Sequence, residues 1–404
     1  DTLIVGRVLG SNALAAVGSA YTLMTFLTSI FLGLSMGSGA LFSIYKGKND
    51  QDSLRSAIVH AFALIMAVTV LLNVLVYIGI DPILHFLRVP DEVWDGMKAY
   101  LLVIFAGIIA TSLYNYFSCL LRALGNSTIP LVFLAVSAVL NIGLDLLFVA
   151  VLPWGIRGAA LATVIAQYVS GIGITLYVLL KCRDLLPSGK DLHFNRQILD
   201  EIGNLSSITC IQQSVMNFGI LMVQGLVNSF GPVVMAAFAA AVKIDTFAYL
   251  PVQDFGNAYS TFIAQNYGAG KKERIRRGTK ESFLISFLFC IVISAVVCIF
   301  AAPLMRIFVS AKETAVIASG VRYLRIEGAF YCGIGCLFLL YGYYRAVKKP
   351  GMSVILTVIS LGTRVALAYI LSAYIGETGI WMAIPIGWVF ADITGLAYMK
   401  FQEK

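Results

Sequence analysis

The sequence predicts an all-α membrane protein that crosses the bilayer many times. Of its 404 residues, 59% are hydrophobic and 12% are charged, whereas soluble globular chains carry about 25% charged residues. Apolar stretches of about 20 residues recur along the chain, and each is long enough to cross a bilayer as a helix. Lys and Arg outnumber Asp and Glu, 29 against 21. In membrane proteins this excess more often sets topology than binds nucleic acid, so we expect no nucleic-acid partner.

Twelve transmembrane helices are expected, the first of them incomplete. The opening residues DTLIVGRVLG read like the end of a span, which predicts that most of a first helix precedes them. Eleven further spans follow from length and hydropathy. They are expected at residues 13–44, 55–80, 96–122, 128–152, 157–181, 204–230, 233–266, 278–304, 315–346, 350–374 and 379–400.

One long polar connection divides the chain into two six-helix lobes. We assign residues 1–181 to an N-lobe, residues 182–203 to a linker and residues 204–404 to a C-lobe. Loops after even-numbered spans, with the C-terminus, hold nineteen Lys and Arg residues, and loops after odd-numbered spans hold six. The positive-inside rule therefore places the linker and both termini in the cytoplasm. We expect a multi-pass protein of the plasma (inner) membrane.

The two halves resemble each other in sequence. YLLVIF (100–105) and YLRIEG (323–328) are each followed, at the same spacing, by an Arg-Ala pair, at an offset of 223 residues. WGIRGAALAT (154–163) aligns with IGETGIWMAI (375–384) at an offset of 221. A repeat of half the chain with an even number of spans predicts lobes related by a pseudo-two-fold axis along the membrane normal.

A polar group of the fifth span is the main candidate site. Asn141 and Asp145 lie one turn apart in LNIGLDLLFV, and Ala159 and Thr163 lie one turn apart in the sixth span. If these two helices pack antiparallel, the Asp, Asn and Thr side chains meet at one depth, and Asp1 adds a second carboxylate. Such oxygen ligands suit a proton or a hard cation such as Na⁺. The alternative is a structural Asp-Asn contact between helices.

The C-lobe lacks this set but has polar residues of its own. At the offset of 223, Asn141 maps to Arg364 and Asp145 to Ala368. Lys243, Asp245 and Asp254 lie in the eighth span. One interpretation is that these residues and Arg364 face a substrate cavity. The other is an internal ion pair that involves Arg364 or Glu327.

The chain resembles the multidrug and toxic compound extrusion (MATE) family of bacterial cation-coupled drug exporters. The matching segments are DTLIVGRVLGSNALAAVG, RALGNSTIP, LNIGLDLLFV, WGIRGAALAT and IAQNYGAGK. The resemblance implies two six-helix lobes, a V-shaped central cleft and alternating access. It also implies an N-lobe cation site at the family's motif positions, which here are Asp1, Asn141, Asp145 and Thr163, with Ala159 beside them. Asp245 and Asp254 are candidates for a different sodium site in the C-lobe.

The expected function is therefore secondary active export of small organic cations or amphiphilic drugs in exchange for H⁺ or Na⁺. We expect a monomer in contact with membrane lipids and no cofactor beyond the coupling ion. A lipid-linked precursor flippase of the same superfamily is the alternative within transport. A membrane-embedded enzyme is the alternative of another class, but the three histidines are scattered and no GxSxG or HExxH motif is present.

Overall fold

The computed structural model describes residues 2–9, 11–86, 91–185 and 195–402, and every regular element in these ranges is helical. This confirms the all-α prediction. The α-helices in chain order are α1 Thr2–Leu9, α2 Ser11–Lys48, α3 Gln51–Ile78, α4 Ile80–Phe86, α5 Asp91–Ile104, α6 Ile108–Ala123, α7 Thr128–Asp145, α8 Gly155–Lys181, α9 Arg196–Asn228, α10 Pro232–Gly268, α11 Lys272–Ile299, α12 Ala301–Phe308, α13 Thr314–Gly328, α14 Tyr331–Ala346, α15 Pro350–Ile375 and α16 Glu377–Gln402.

Ten helices of the described ranges are long and apolar enough to cross a membrane, and the bent pair of α13 and α14 makes an eleventh span. The eleven spans expected after the first helix are therefore present. The span expected at residues 315–346 consists of two helices, because the chain bends by 52° between Gly328 and Tyr331. The short α1 precedes these spans.

The chain forms two compact units, Asp1–Cys210 and Ile211–Lys404. The division lies inside α9, which begins at Arg196 rather than near residue 204 as expected. The earlier start follows from the spacing of Ile198, Ile202 and Leu205, which form one apolar stripe and are buried in the core of the first unit. The linker assigned to residues 182–203 stays a prediction, and residues 186–194 of it lie outside the described residues.

The internal repeat extends from the sequence to the backbone. Each unit has a short helix after a long span, α4 in the first and α12 in the second, and then a span that is interrupted. The interruptions lie at 105–107 and 329–330, which agrees with the sequence offset of 223. Turns with positive φ also recur at offsets of 221 to 223, in the pairs Asn49 (58°) and Gly270 (67°), Gly125 (91°) and Lys348 (59°), and Gly155 (65°) and Gly376 (63°).

Within the first unit, α2 packs closely on the first half of α9 through two glycines. A Cβ atom on Gly33 would lie 2.5 Å from the Cα atom of Cys210, and one on Gly37 would lie 2.5 Å from that of Ser206. The two glycines are four residues apart, the small-xxx-small spacing that lets membrane helices approach. Next to them, the hydroxyl groups of Ser38 and Ser206 are hydrogen-bonded at 2.9 Å.

We expect Gly37→Ala to destabilise the protein, because the added methyl group would meet the α9 backbone and overpacking of this kind costs about 1–3 kcal/mol. Gly203→Ala is the matched control, since a Cβ atom there meets no described atom within 4 Å. The measurement is the thermal unfolding midpoint of each purified variant in detergent. Equal midpoints for both variants would contradict the close approach of α2 and α9.

Candidate functional site: a buried carboxylate centre and a second charged cluster

The first polar centre joins α7 and α8 inside the first unit. The Asn141 Nδ2 atom donates a hydrogen bond to Thr163 Oγ1 at 3.2 Å. The Thr163 hydroxyl in turn donates to the backbone carbonyl of Ala159, also at 3.2 Å. The sequence predicted that the amide and the hydroxyl would meet between these helices, and the structure brings them together.

Asp145 is fully buried, with none of its surface exposed, and is the last residue of α7. The chain continues as a π-helical turn, Leu146–Val151, in which Leu152 N donates to Leu147 O at 2.8 Å. Turns of this kind are rare and frequently occur at functional sites. The carboxylate therefore lies at a distorted point of the helix, one turn after Asn141 and on the same face.

Tyr100 belongs to this centre and was missed by the sequence interpretation. It lies on α5, its ring is buried, and it interacts electrostatically with the Asp145 carboxylate. A tyrosine in an apolar span is not unusual, so its type alone gave no signal. The signal was positional, because Tyr100 opens the repeated segment YLLVIF.

Asp1, the expected second carboxylate, lies outside the described residues. The helix that follows it, α1, contacts both α8 and the π-helical turn after Asp145. The part of Asp1 in the site stays a prediction.

The donor set of this centre suits a proton or a hard monovalent cation. It offers one buried carboxylate together with amide, hydroxyl and backbone carbonyl oxygens, the ligand type that hard cations prefer. Among the described residues, no group of three or more His, Cys, Asp or Glu side chains could hold a metal ion. The softer ligands that favour zinc or copper are therefore not gathered in this part of the chain. We call these residues, with Tyr100, the Asp145 centre.

A second cluster of ionisable groups lies inside the second unit. The Tyr331 hydroxyl donates to Asp245 Oδ1, and the carboxyl groups of Asp245 and Glu327 interact electrostatically with each other and with Tyr323. Arg364 interacts electrostatically with both acids. We call these five residues the Asp245 cluster. Two carboxyl groups and one guanidinium therefore lie close enough to influence one another within the second unit.

Aromatic rings close one side of the Asp245 cluster. Trp381 is fully buried, stacks on Phe238 with ring centroids 5.5 Å apart, and meets the edge of Tyr323 at 5.0 Å. Three buried polar atoms of this region have no hydrogen-bond partner among the described residues, namely Glu327 Oε2, Arg364 Nε and Trp381 Nε1. The cluster is thus closely packed, with unused hydrogen-bonding capacity.

The four residues assigned to a substrate cavity divide into two sets. Asp245 and Arg364 are both in the cluster just described, together with Glu327. Lys243 and Asp254 have exposed side chains on α10, and they lie on faces of that helix other than that of Asp245. The structure therefore does not bring all four residues to one place.

The two centres occupy equivalent places in the repeat. At the offset of 223, Tyr100 corresponds to Tyr323, Asn141 to Arg364, and Asp145 to Ala368, which is buried. Each tyrosine interacts electrostatically with a carboxyl group in its own unit. In the second unit, however, the acids come from α10 and α13 instead of the helix that carries Asp145 in the first.

Asp392 is another buried acid that the sequence interpretation did not single out. It lies on α16 with 9% of its surface exposed, and it interacts electrostatically with the Cys336 thiol of α14. It stands alone among apolar residues of VFADITGLAY. This isolation in a span was the available signal.

The model of the MatE family matches residues 1–147 and 208–370 of the chain. The probable multidrug resistance protein YpnP of Bacillus subtilis is 29% identical over 402 residues, which are 99% of this chain and 89% of that protein. The probable multidrug resistance protein NorM of Thermotoga maritima is 25% identical over 408 residues, 98% of this chain and 86% of that protein.

The fold is that of solved transporters. A structure of a MOP superfamily transporter from Pyrococcus furiosus superimposes with a TM-score of 0.93 at 22% identity, over 99% of this chain and 90% of that one. This similarity supports the arrangement of the helices. It does not by itself indicate the function of individual residues.

We expect Arg364→Met to lower the free energy of unfolding by about 2–3 kcal/mol, somewhat less than for a fully buried ion pair. The substitution removes the cation and leaves the negative charge of the acid pair uncompensated. The double variant Arg364→Met/Asp245→Asn should lose less than the sum of the two single losses, because it removes the cation together with one of the two acids that interact with it.

Arg306→Met is the control for this cycle, since the Arg306 side chain is exposed and should change stability by at most about 0.5 kcal/mol. The measurement is reversible unfolding by titration with sodium dodecyl sulfate. Strictly additive losses in the double variant would contradict the charge balance within the Asp245 cluster.

Proposed function

Because the chain belongs to the MatE family, we propose that it is a secondary active multidrug exporter that exchanges H⁺ or Na⁺ for organic cations or amphiphiles. The observation that carries the proposal is the fully buried Asp145 carboxylate beside the hydrogen-bonded pair Asn141 and Thr163. A carboxylate at this depth is costly unless a cation or proton compensates it. We propose that the Asp145 carboxylate binds this ion on one side of the membrane and releases it on the other.

Coupling requires that the ion bind one conformation of the transporter more tightly than the other. The Asp145 centre draws its groups from α5, α7 and α8, so a shift of any of these helices changes the ligand set. Asp1 is proposed as the further carboxylate of the site. The differential affinity then drives alternating access.

The transported molecule is proposed to be small, organic and cationic or amphiphilic. The names of the Bacillus and Thermotoga relatives support multidrug resistance as the biological role. Lys243 and Asp254, whose side chains are exposed on α10, are proposed to contact this molecule. Asp245 and Arg364 are proposed to influence the transported molecule indirectly, through the charge balance within the Asp245 cluster. We further propose that the protein works as a monomer in the plasma membrane with cytoplasmic termini.

We expect Asp145→Asn to reduce gradient-driven ethidium efflux about tenfold or more, because the amide cannot carry the charge that binds the coupling ion. Asp95→Asn is the matched control. Its carboxylate is exposed on α5, and the variant should keep full efflux. The measurement follows ethidium in an efflux-deficient host with imposed H⁺ or Na⁺ gradients.

Efflux that persists at the wild-type rate in Asp145→Asn would refute the site assignment. Absence of ethidium efflux by the wild type, with the protein present in the membrane, would shift the assignment toward translocation of lipid-linked precursors. Headgroup translocation in vesicles would then test that alternative.

We expect Thr163→Val to distinguish Na⁺ coupling from H⁺ coupling, because the substitution removes a hydroxyl ligand and keeps the shape of the side chain. Na⁺-driven efflux should require an about tenfold higher Na⁺ concentration, by analogy with the loss of one supporting group at a metal site. H⁺-driven efflux needs no such ligand and should change little. The measurement is the ion concentration that gives half-maximal efflux, and no change with either ion would exclude Thr163 from the site.

A further inference from the structure

A cavity of about 610 Å³ opens on the surface of the second unit between the first turns of α11 and the end of α16. Its charged side is formed by Arg276, Arg277 and Lys280, and its apolar side by Phe283, Leu396 and Met399. We call these six residues the basic groove. It is separate from both the Asp145 centre and the Asp245 cluster, and the proposed transport cycle makes no use of it.

Two of the three cations of the groove form no ion pair within the described part of the chain. Arg277 pairs with Glu281 at 2.7 Å, while Arg276 and Lys280 form no ion pair with any described residue. These two are exposed and one helical turn apart, so both side chains lie on the same face of α11. Glu273 also lines the cavity, which leaves a net positive site for an anion.

Polarity changes sharply along α11. The segment KKERIRRGTKE contains six basic and two acidic residues, and the apolar run FLISFLFCIV begins two residues later. Arg276 and Phe283 are seven residues apart, a rise of about 10 Å in a helix. The groove therefore spans the boundary between the headgroups and the hydrocarbon of a bilayer.

The apolar side of the groove is open. Leu396 is 43% exposed and Phe283 is partly exposed, while Met399 is buried beneath them. Thr279, between the cations and Phe283, is already bonded to the Tyr259 hydroxyl at 2.8 Å. A ligand for this site must therefore combine an anionic group near Arg276 and Lys280 with a hydrocarbon part near Phe283 and Leu396.

We propose that the basic groove binds an anionic phospholipid. Its phosphate lies between Arg276 and Lys280, and one acyl chain lies along Phe283 and Leu396. A basic pocket between transmembrane helices at the bilayer surface is the kind of site that holds anionic headgroups. A free polyanion would match only the charged side, and a zwitterionic lipid would supply no net charge. The positive-inside count places this end of α11 at the cytoplasmic leaflet.

The test measures thermal stabilisation of the purified full chain by phosphatidylglycerol, phosphatidylcholine and glycerol 3-phosphate. The wild type should be stabilised by phosphatidylglycerol and much less by the other two probes. In Arg276→Ala/Lys280→Ala, the phosphatidylglycerol concentration for half-maximal stabilisation should rise about 20- to 30-fold, since each surface cation contributes about a fivefold factor. Phe283→Ala should weaken phosphatidylglycerol binding without removing a charge.

Lys272→Ala/Arg274→Ala is the matched control. It removes two positive charges from exposed positions of the same helix end, neither of which lines the groove. This control should bind phosphatidylglycerol within about twofold of the wild type. An equal loss in both double variants would mean unspecific charge attraction and overturn the proposal. So would equal stabilisation by phosphatidylcholine, or full stabilisation by glycerol 3-phosphate. Drug efflux is not the readout, so the result is independent of the proposed transport function.

Discussion

A charged or strongly polar group in the apolar interior of a helical bundle is no longer solvated by water. It therefore needs another group of the protein, or a bound ion, as its partner. This constraint organises both units. In the first, the Asn141 amide and the Thr163 hydroxyl satisfy each other beside the buried Asp145 carboxylate. In the second, Asp245 and Glu327 interact with the Arg364 guanidinium. The helices that carry these groups are held together because each polar group would lose its partner if the helices separated.

One scaffold thus carries two different charge arrangements. Tyr100 and Tyr323 hold equivalent positions and interact electrostatically with acids. However, Arg364 replaces Asn141 of the first unit, and Ala368 replaces Asp145. A carboxylate with neutral oxygen neighbours attracts a cation. An acid pair with its own guanidinium is already compensated. The donor set of the first unit therefore suits the proposed ion exchange, whereas the acids of the second unit already have a cation of the protein beside them.

The sequence predicted what local spacing controls. The hydropathy pattern predicted the spans, and one-turn spacing predicted that Asn141 and Thr163 would meet between antiparallel helices. It named Arg364 or Glu327 as an alternative internal partner of the α10 residues, but it could not show that both lie near Asp245, because that depends on how α13 and α15 pack against α10. The bend after Gly328 was hidden for a related reason, since a hydropathy window averages over a break of two residues. The place of Asp1 is outside the described residues, so this part of the site stays a prediction.

The backbone near Asp145 gives the proposed coupling a structural basis. The chain leaves regular α-helical geometry directly after this carboxylate, whereas α15, the equivalent helix of the second unit, continues as a regular helix past Ala368. The distortion therefore accompanies the acid and is not a property of the repeat. Because α1 contacts both α8 and the π-helical turn, a change in charge at Asp145 acts on a junction of three elements. An ion that is bound and released there can favour one helix arrangement over another, which is what exchange across a membrane requires.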